Sequence, residues 1–172
     1  KKAMDKGIKV FALGVETKYY DLCSVADNVD VGNQIAVMAA DFVKKNLGGK
    51  TQIAVMTSTA SVDMSNRSNA IISKIKELLP DSTIVMQQDA AKVGDGSAFA
   101  ENVLQKYPNT KIFLSYGDAM ALEAVEVLKS AGKAGNDVAC FGCDATTQGL
   151  KEIAAGDVFR GTVYMGSLIE TT

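Results

Sequence analysis

The stretch that decides the fold is Lys111–Ala145, KIFLSYGDAMALEAVEVLKSAGKAGNDVACFGCDA. It reads as an apolar strand (Ile112–Ser115), a polar corner, an amphipathic helix, and a second apolar strand (Val138–Gly142) followed by Asp144. A crossover helix between two short strands predicts a parallel pair, whose carboxyl ends lie at one edge of a sheet. Because open α/β sheets bind ligands at that edge, Asp118 and Asp144 predict a small-molecule cleft there.

The rest of the chain continues this alternation. Strands are predicted at Val10–Leu13, Gln52–Met56, Thr83–Met86 and Phe159–Tyr164, and helices at Asp27–Lys45, Asn66–Leu79, Ser97–Lys106 and Thr147–Ala155. Such alternation predicts the α/β class, a parallel sheet with helices on both faces. The region Val15–Asp27 lacks either periodicity and is the best candidate for a crossing between domains.

The composition limits the possible partners. The 172 residues are 47% hydrophobic and 22% charged, with a net charge of −2, values that suit a soluble protein with a sizeable core. Lysines and arginines are scattered, so no face is set up for nucleic acid, and no apolar run reaches the roughly 20 residues of a membrane-inserted helix. The opening KKAMDKG looks like the end of a helix and the closing GSLIETT like the start of one, so we expect a fragment.

Catalytic, metal and cofactor chemistry has little support. The chain contains no histidine, which excludes a Ser-His or Cys-His pair within it. Cys140 and Cys143 have C-x-x-C spacing, but Cys140 falls inside an apolar strand and no second pair completes a zinc site. Gly48-Gly49-Lys50-Thr51 lacks the preceding strand of a phosphate loop. We therefore expect free thiols, no metal, no cofactor and a binding protein rather than an enzyme.

Three charged residues are candidates for the cleft, each with an alternative. Arg67, in the predicted first turn of its helix, can bind a carboxylate, phosphate or paired hydroxyls, or can be a solvated surface arginine. Asp144 can accept hydrogen bonds from ligand hydroxyls or can cap the next helix. Asp118 is better interpreted as a helix cap than as a ligand group, because a helical pattern starts directly after it.

With these residues in place, the chain resembles a type I periplasmic solute-binding protein of the ribose-binding-like group. The matching landmarks, in order, are GIKVFAL, VADNVDVG, Arg67, YGDAMALEAVEVLKSAG, FGCDA and GLKEIAAGDVFRGTV. The resemblance implies two α/β lobes joined by hinge strands. Residues 1–26 would be the end of the first lobe and the hinge crossing, 27–164 the second ligand-binding lobe, and 165–172 a truncated hinge return.

The resemblance also implies a function. Such a protein is the substrate-binding component of an ABC importer, which closes on a sugar or sugar-like polar solute and then docks on membrane permease subunits. It would be located in the periplasm or at the cell surface as a lipoprotein.

The resemblance implies a binding site that departs from the family pattern. Arg67 and Asp144 match positions that grip sugar hydroxyls. Four positions differ from frequent family residues, namely Gly14 for Asp, Gly117 for Asn, Ala91 for an aromatic and Met165 for Gln. Replacement contacts could come from Tyr116, Glu16, Thr57 and Gln88.

Two alternatives use the same fold. The first is the effector-binding domain of a LacI-type transcription regulator, although such regulators usually carry a Pro-Asp pair before the strand that here begins near Asp137, and this chain has AGKAGND. The second is a sugar-modifying or phosphate-handling enzyme, which lacks a recognisable base and phosphate loop here.

Overall fold

The computed structural model describes residues 1–14 and 17–166. The described strands are β1 (Phe11–Leu13), β2 (Leu22–Ser24), β3 (Gln52–Thr57), β4 (Thr83–Asp89), β5 (Thr110–Ser115), β6 (Ala139–Cys143) and β7 (Phe159–Val163). The described α-helices are α1 (Asn28–Asn46), α2 (Val62–Leu78), α3 (Asp95–Lys106), α4 (Asp118–Ser130) and α5 (Thr147–Ala155). The backbone groups into two compact units, Asn28–Met165 and a smaller one built from Lys1–Asp27.

The larger unit is a parallel five-stranded sheet in the order β4-β3-β5-β6-β7. Its central strands β3, β5 and β6 are buried along nearly their whole length, as expected for parallel strands covered on both faces. This architecture confirms the predicted α/β class. The strand order reverses between β3 and β5, which opens a crevice outside their carboxyl ends.

A separate apolar layer covers each face of the sheet. On one face α1 and α2 bury an aliphatic cluster against alternate strand residues, with Ile35, Ile71 and Leu114 fully buried at its centre. On the other face α3, α4 and the α5–β7 region bury a second cluster around Phe99, Phe113 and Phe159. Because both faces are covered, polar side chains at the carboxyl edge stand on a rigid support.

The helices α1 and α2 touch at a glycine. A Cβ atom on Gly32 of α1 would lie 2.4 Å from the backbone oxygen of Arg67 and 2.7 Å from Cβ of Ala70, both on α2. Only a residue without a side chain permits this approach. The crossing brings the start of α1 next to Arg67.

The smaller unit contains a short helix and two strands. Residues Met4–Lys6 form a turn of 3₁₀ helix that ends at Gly7 with φ of 75°, in line with the helix end and glycine stop predicted there. Strand β1 pairs in parallel with β2, and the Asp21 carboxylate accepts hydrogen bonds from Lys9 Nζ and Val10 N at 2.9 Å. The segment 15–27, in which the sequence shows no helical or strand periodicity, contains the three-residue strand β2.

The larger differences from the predicted boundaries are at α2 and β4, and the other predicted boundaries differ by one or two residues at most. Helix α2 begins at Val62 rather than Asn66, because the Ser61 side chain caps it by accepting a hydrogen bond from Met64 N. Arg67 therefore lies in the second turn of α2, not the first. Strand β4 continues through the polar residues Gln87, Gln88 and Asp89, since edge strands tolerate polar side chains.

Candidate functional site

The candidate site lies on the larger unit, at the carboxyl ends of β3, β5 and β6 and the starts of α1, α2 and α4. Thr57 and Ser58 come at the end of β3, Tyr116 and Gly117 directly follow β5, and Asp144 directly follows β6. This is the crevice that the reversal of strand order opens.

Arg67 lies beneath the carboxyl edge of the sheet, and its guanidinium is hydrogen-bonded to other residues of the chain. Its Nε and Nη2 atoms donate to Asn28 Oδ1 at 3.1 and 2.5 Å, and Nη1 donates to the Tyr116 carbonyl at 2.7 Å. The same Nη1 lies 2.8 Å from Cys143 Sγ and 4.0 Å from Asp144 Oδ1. The residue is 8% exposed, so the alternative of a solvated surface arginine was wrong. Its planar fork joins α1, α2, β5 and β6.

Cys143 is part of this arrangement as a neutral thiol. Its Sγ lies 3.0 Å from the Tyr116 carbonyl, and the side chain is buried. Burial, reinforced by the Asp144 charge and opposed by Arg67, raises the pKa of the Cys143 thiol. Burial likewise raises the pKa of Cys140, so both thiols are protonated at neutral pH, and both are free and buried as predicted.

Asp144 has the most unusual backbone of the site. Its φ is 110° and that of Ala145 is 48°, both in the region that favours glycine. Non-glycine residues in this region store strain and cluster at functional sites. The cap of α5 is Thr146, whose hydroxyl accepts from Gly149 N at 3.1 Å, so Asp144 does not cap the following helix.

The Asp144 carboxylate is partly accessible and electrostatically unfavourable. Its side chain is 39% exposed. Burial raises its pKa above the ordinary value of 3.8, Arg67 opposes this shift, and the charge of Asp118 adds to it. The backbone N–H of Asp118, at the start of α4, also favours the ionised form. A strained, partly desolvated carboxylate at a sheet edge is a candidate ligand contact.

Asp118 locks the loop that carries Asp144. It is fully buried, and its carboxylate accepts hydrogen bonds from Thr146 N at 2.9 Å, Thr146 Oγ1 at 3.0 Å and Thr162 Oγ1 at 2.7 Å. Thr162 Oγ1 in turn accepts from Ala145 N at 3.1 Å. The interpretation of Asp118 as a cap was wrong, because the N-cap of α4 is Gly117. The carboxylate instead binds the start of α5 and fixes both sides of the left-handed Asp144-Ala145 turn.

A second carboxylate lies at the ends of β3 and β4. Asp89 accepts hydrogen bonds from the Thr57 hydroxyl at 2.6 Å, from Thr59 N at 3.2 Å and from the Thr59 hydroxyl. The hydrogen bond from Thr57 lowers the pKa of Asp89 most, and the hydrogen bonds from Thr59 lower it further. Thr57 is therefore held by Asp89, while Gln88 is exposed beside it.

Tyr116 interacts electrostatically with both carboxylates. Its hydroxyl donates to the Ala90 carbonyl at 2.8 Å. Burial raises the pKa of Tyr116, a hydrogen bond with Ser58 lowers it, and the charges of Asp144, Asp89 and Asp95 raise it further. The phenol thus senses negative charge from both ends of the crevice.

The structure brings Arg67, Tyr116 and Asp144 together, and places Thr57 and Gln88 on the adjoining strands β3 and β4. Glu16 lies outside the described residues. Sequence reasoning missed Asn28, Ser58 and Asp89. Asp89, like Asp144, is an aspartate at the end of a strand, and this signal could have identified it. It was missed because the predicted β4 ended three residues too early.

The described residues offer neither a cluster of metal ligands nor a membrane-spanning helix. Across 1–14 and 17–166, histidine, cysteine, aspartate and glutamate side chains form no group of three that could hold a metal ion. In the same ranges, every helix is too short or too polar to cross a membrane.

A parallel α/β lobe with a polar crevice at its carboxyl edge defines a ligand-binding class of fold. Residues 1–167 match the family model of the periplasmic binding protein domain, and the chain belongs to this family. The family consists of substrate-binding proteins, which confirms the prediction that the chain is not an enzyme.

Named relatives support the ribose-binding-like assignment. The chain is 29% identical over 163 residues to the D-apiose import binding protein of Actinobacillus succinogenes, covering 94% of this chain and 51% of the relative. It is 27% identical over 172 residues to the xylitol-binding protein of Mycolicibacterium smegmatis, covering 98% and 47%. A solved periplasmic solute-binding protein from Actinobacillus succinogenes, with bound D-allose, has the same fold at a TM-score of 0.82 and 22% identity, covering 95% and 59%. The chain spans about half the length of the curated relatives it matches.

Proposed function

We propose that this chain supplies a ligand-binding lobe of the substrate-binding component of an ABC importer. The cargo is a sugar or sugar-like polar solute, held between two hinged lobes, and the closed form docks on membrane permease subunits. Closure follows from tighter binding of the solute to the closed state, which shifts the population toward it. The protein acts in the periplasm or at the cell surface. In this proposal residues 27–164 are the second lobe, and the segments before and after them belong to the first lobe and the hinge.

The observation that carries this proposal is the Asp144 carboxylate, strained in its backbone and 39% exposed at the carboxyl edge of the sheet. A carboxylate accepts hydrogen bonds only, so it suits a solute rich in hydroxyl donors. Arg67 positions this edge from below, and Tyr116, Thr57 and Gln88 supply further polar groups along it. The names of the relatives describe sugar and polyol binding and import, which favours transport over the regulator alternative.

A thermal-shift screen of the full-length protein tests the proposal. Pentoses, hexoses and polyols, including D-allose and xylitol, are added one at a time. We expect at least one to raise the melting temperature in a concentration-dependent way, since a solute that binds only the folded state stabilises it by about 2.7 kcal/mol at 100 times its Kd.

Substitutions then test the site. We expect Asp144→Ala to weaken binding of the stabilising solute, and Arg67→Ala to weaken it by loosening the edge. The matched control is Asp81→Ala, because Asp81 is an exposed aspartate outside the crevice, in the turn between α2 and β4. Unchanged affinity in both site variants would show that the solute binds elsewhere.

A further inference from the structure

Gly117 has a conformation that does not require glycine. As the N-cap of α4 its φ and ψ are −164° and 157°, extended values that any residue adopts. It also makes no side-chain cap, whereas the caps of α2 and α5 are a serine and a threonine that each accept a backbone hydrogen bond. The backbone geometry therefore does not require glycine at this position, where serine, asparagine or aspartate could also cap the helix.

Among the described residues, Asp144 borders the space that a side chain at position 117 would occupy. A Cβ atom on Gly117 would lie 3.2 Å from Asp144 Oδ2, and no other described atom outside the neighbouring residues lies within 4 Å of that point. Gly117 itself is buried, and the space in front of it lies beside the carboxylate. Even a methyl group here would crowd Oδ2.

The two oxygens of Asp144 have different surroundings. Oδ1 faces the Cys143 thiol at 3.6 Å and the Arg67 guanidinium at 4.0 Å. Oδ2 is the oxygen on the Gly117 side. A group entering from this side meets an acceptor, so it has to donate a hydrogen bond.

We propose that Gly117 is a specificity-determining residue, which leaves room beside Asp144 Oδ2 for one hydrogen-bond-donating substituent of the solute, a hydroxyl or an ammonium group. This inference rests on the proposed function. It adds that the solute presents a donor to the start of α4, and that sugars with a carboxylate or phosphate at this point are rejected. The Arg67 guanidinium, 4.0 Å from Asp144 Oδ1, offsets part of that repulsion, but its hydrogen bonds are directed at Asn28, Tyr116 and Cys143.

Calorimetric titration of the full-length protein tests the inference with four probes: xylitol, D-allose, D-glucosamine and D-gluconate. We expect a neutral polyol or the amino sugar to bind, and D-gluconate to bind at least about tenfold more weakly. For the probe that binds best, Gly117→Ala should weaken binding about tenfold or more, the effect of a lost hydrogen bond to a charged group.

The matched control is Gly135→Ala. A Cβ atom there would also lie 3.3 Å from an aspartate oxygen, Asp137 Oδ1, but in the loop before β6, at the opposite end of that strand from Asp144. A double-mutant cycle with Asp144→Asn guards against a folding defect. If Gly117 acts through Asp144, the two substitutions are non-additive by about tenfold or more.

The outcomes separate the two proposals. Equal affinities for Gly117→Ala and Gly135→Ala, additive effects in the cycle, or preferred binding of D-gluconate would overturn the role of Gly117 while leaving solute binding intact. A wild-type protein that binds none of these probes, nor any sugar of the thermal screen, would contradict the proposed function and this inference with it.

Discussion

At the scale of single residues, neither Asp118 nor Asp144 caps the helix that its position in the sequence suggests. Asp118 is the first residue of α4 and Asp144 lies shortly before α5, but each carboxylate interacts with the start of the other aspartate's helix. The Asp118 carboxylate binds Thr146 at the start of α5, and the Asp144 carboxylate is stabilised by the backbone N–H of Asp118 at the start of α4. One carboxylate is sealed and structural, and the other remains accessible.

Removing the buried carboxylate of Asp118 should cause a large loss of stability. Asp118→Ala removes the buried acceptor of three donors, Thr146 N, Thr146 Oγ1 and Thr162 Oγ1, so we expect the free energy of unfolding to fall by about 3 kcal/mol. Chemical denaturation measures this, with Asp81→Ala as the exposed control that changes it by less than about 0.5 kcal/mol. Hydrogen exchange should also speed up at the Ala145 and Thr146 amides. A loss below about 1 kcal/mol would show that Asp118 does not hold the turn.

Removing the charge of the accessible carboxylate, Asp144, should instead increase the stability at neutral pH. Because burial raises the pKa of Asp144 above 3.8, ionisation of this group disfavours the folded state at neutral pH. Asp144→Asn should therefore unfold at higher denaturant concentration than wild type at about pH 7. The difference should shrink as the pH falls through the raised pKa and vanish below 3.8, where wild-type Asp144 is protonated in both states.

Asp89 is the matched control for this pH series, since hydrogen bonds lower its pKa. Asp89→Asn should be less stable than wild type at neutral pH, and that deficit should disappear as the pH falls through the lowered pKa of Asp89. Denaturation curves at several pH values measure both trends. Two variants with the same sign of pH dependence would contradict the described electrostatics.

At the scale of elements, the site depends on how closely α1 and α2 approach. In an unobstructed helix interior, alanine in place of glycine gains up to about 1 kcal/mol. At Gly32 the new methyl group would overlap the backbone of α2, so we expect Gly32→Ala to lower the stability by about 1–3 kcal/mol. Asn66→Ala, at an exposed position of α2, is the control for intrinsic helix propensity. A neutral or stabilising Gly32→Ala would place the two helices farther apart.

The same crossing shows where sequence reasoning ends. The apolar runs of β3, β5 and β6 and the periodicity of the helices predicted the sheet, and the position of Asp144 after a strand predicted its place at the edge. The fork of Arg67 to Asn28 could not be predicted, because it depends on a contact across 39 residues that a single helical glycine permits. Strand β2 is only three residues long, too short for a periodic signal.

At the scale of the whole molecule, the chain spans about half the length of its curated relatives, and the described crevice belongs to one compact unit. At this edge the larger unit presents the carboxylates of Asp144 and Asp89, which accept hydrogen bonds, and the exposed Gln88 amide, which can both donate and accept. We therefore expect a solute that is rich in hydroxyl or ammonium donors and carries no negative charge at the edge that this unit presents.

The most direct test is native mass spectrometry of the full-length protein, mixed with an equimolar set of neutral polyols, amino sugars and sugar acids. We predict one bound polyol or amino sugar per chain, which disappears in Asp144→Ala and persists in Asp81→Ala. A chain that stays unbound, retains the solute in Asp144→Ala, or selects a sugar acid would contradict this prediction.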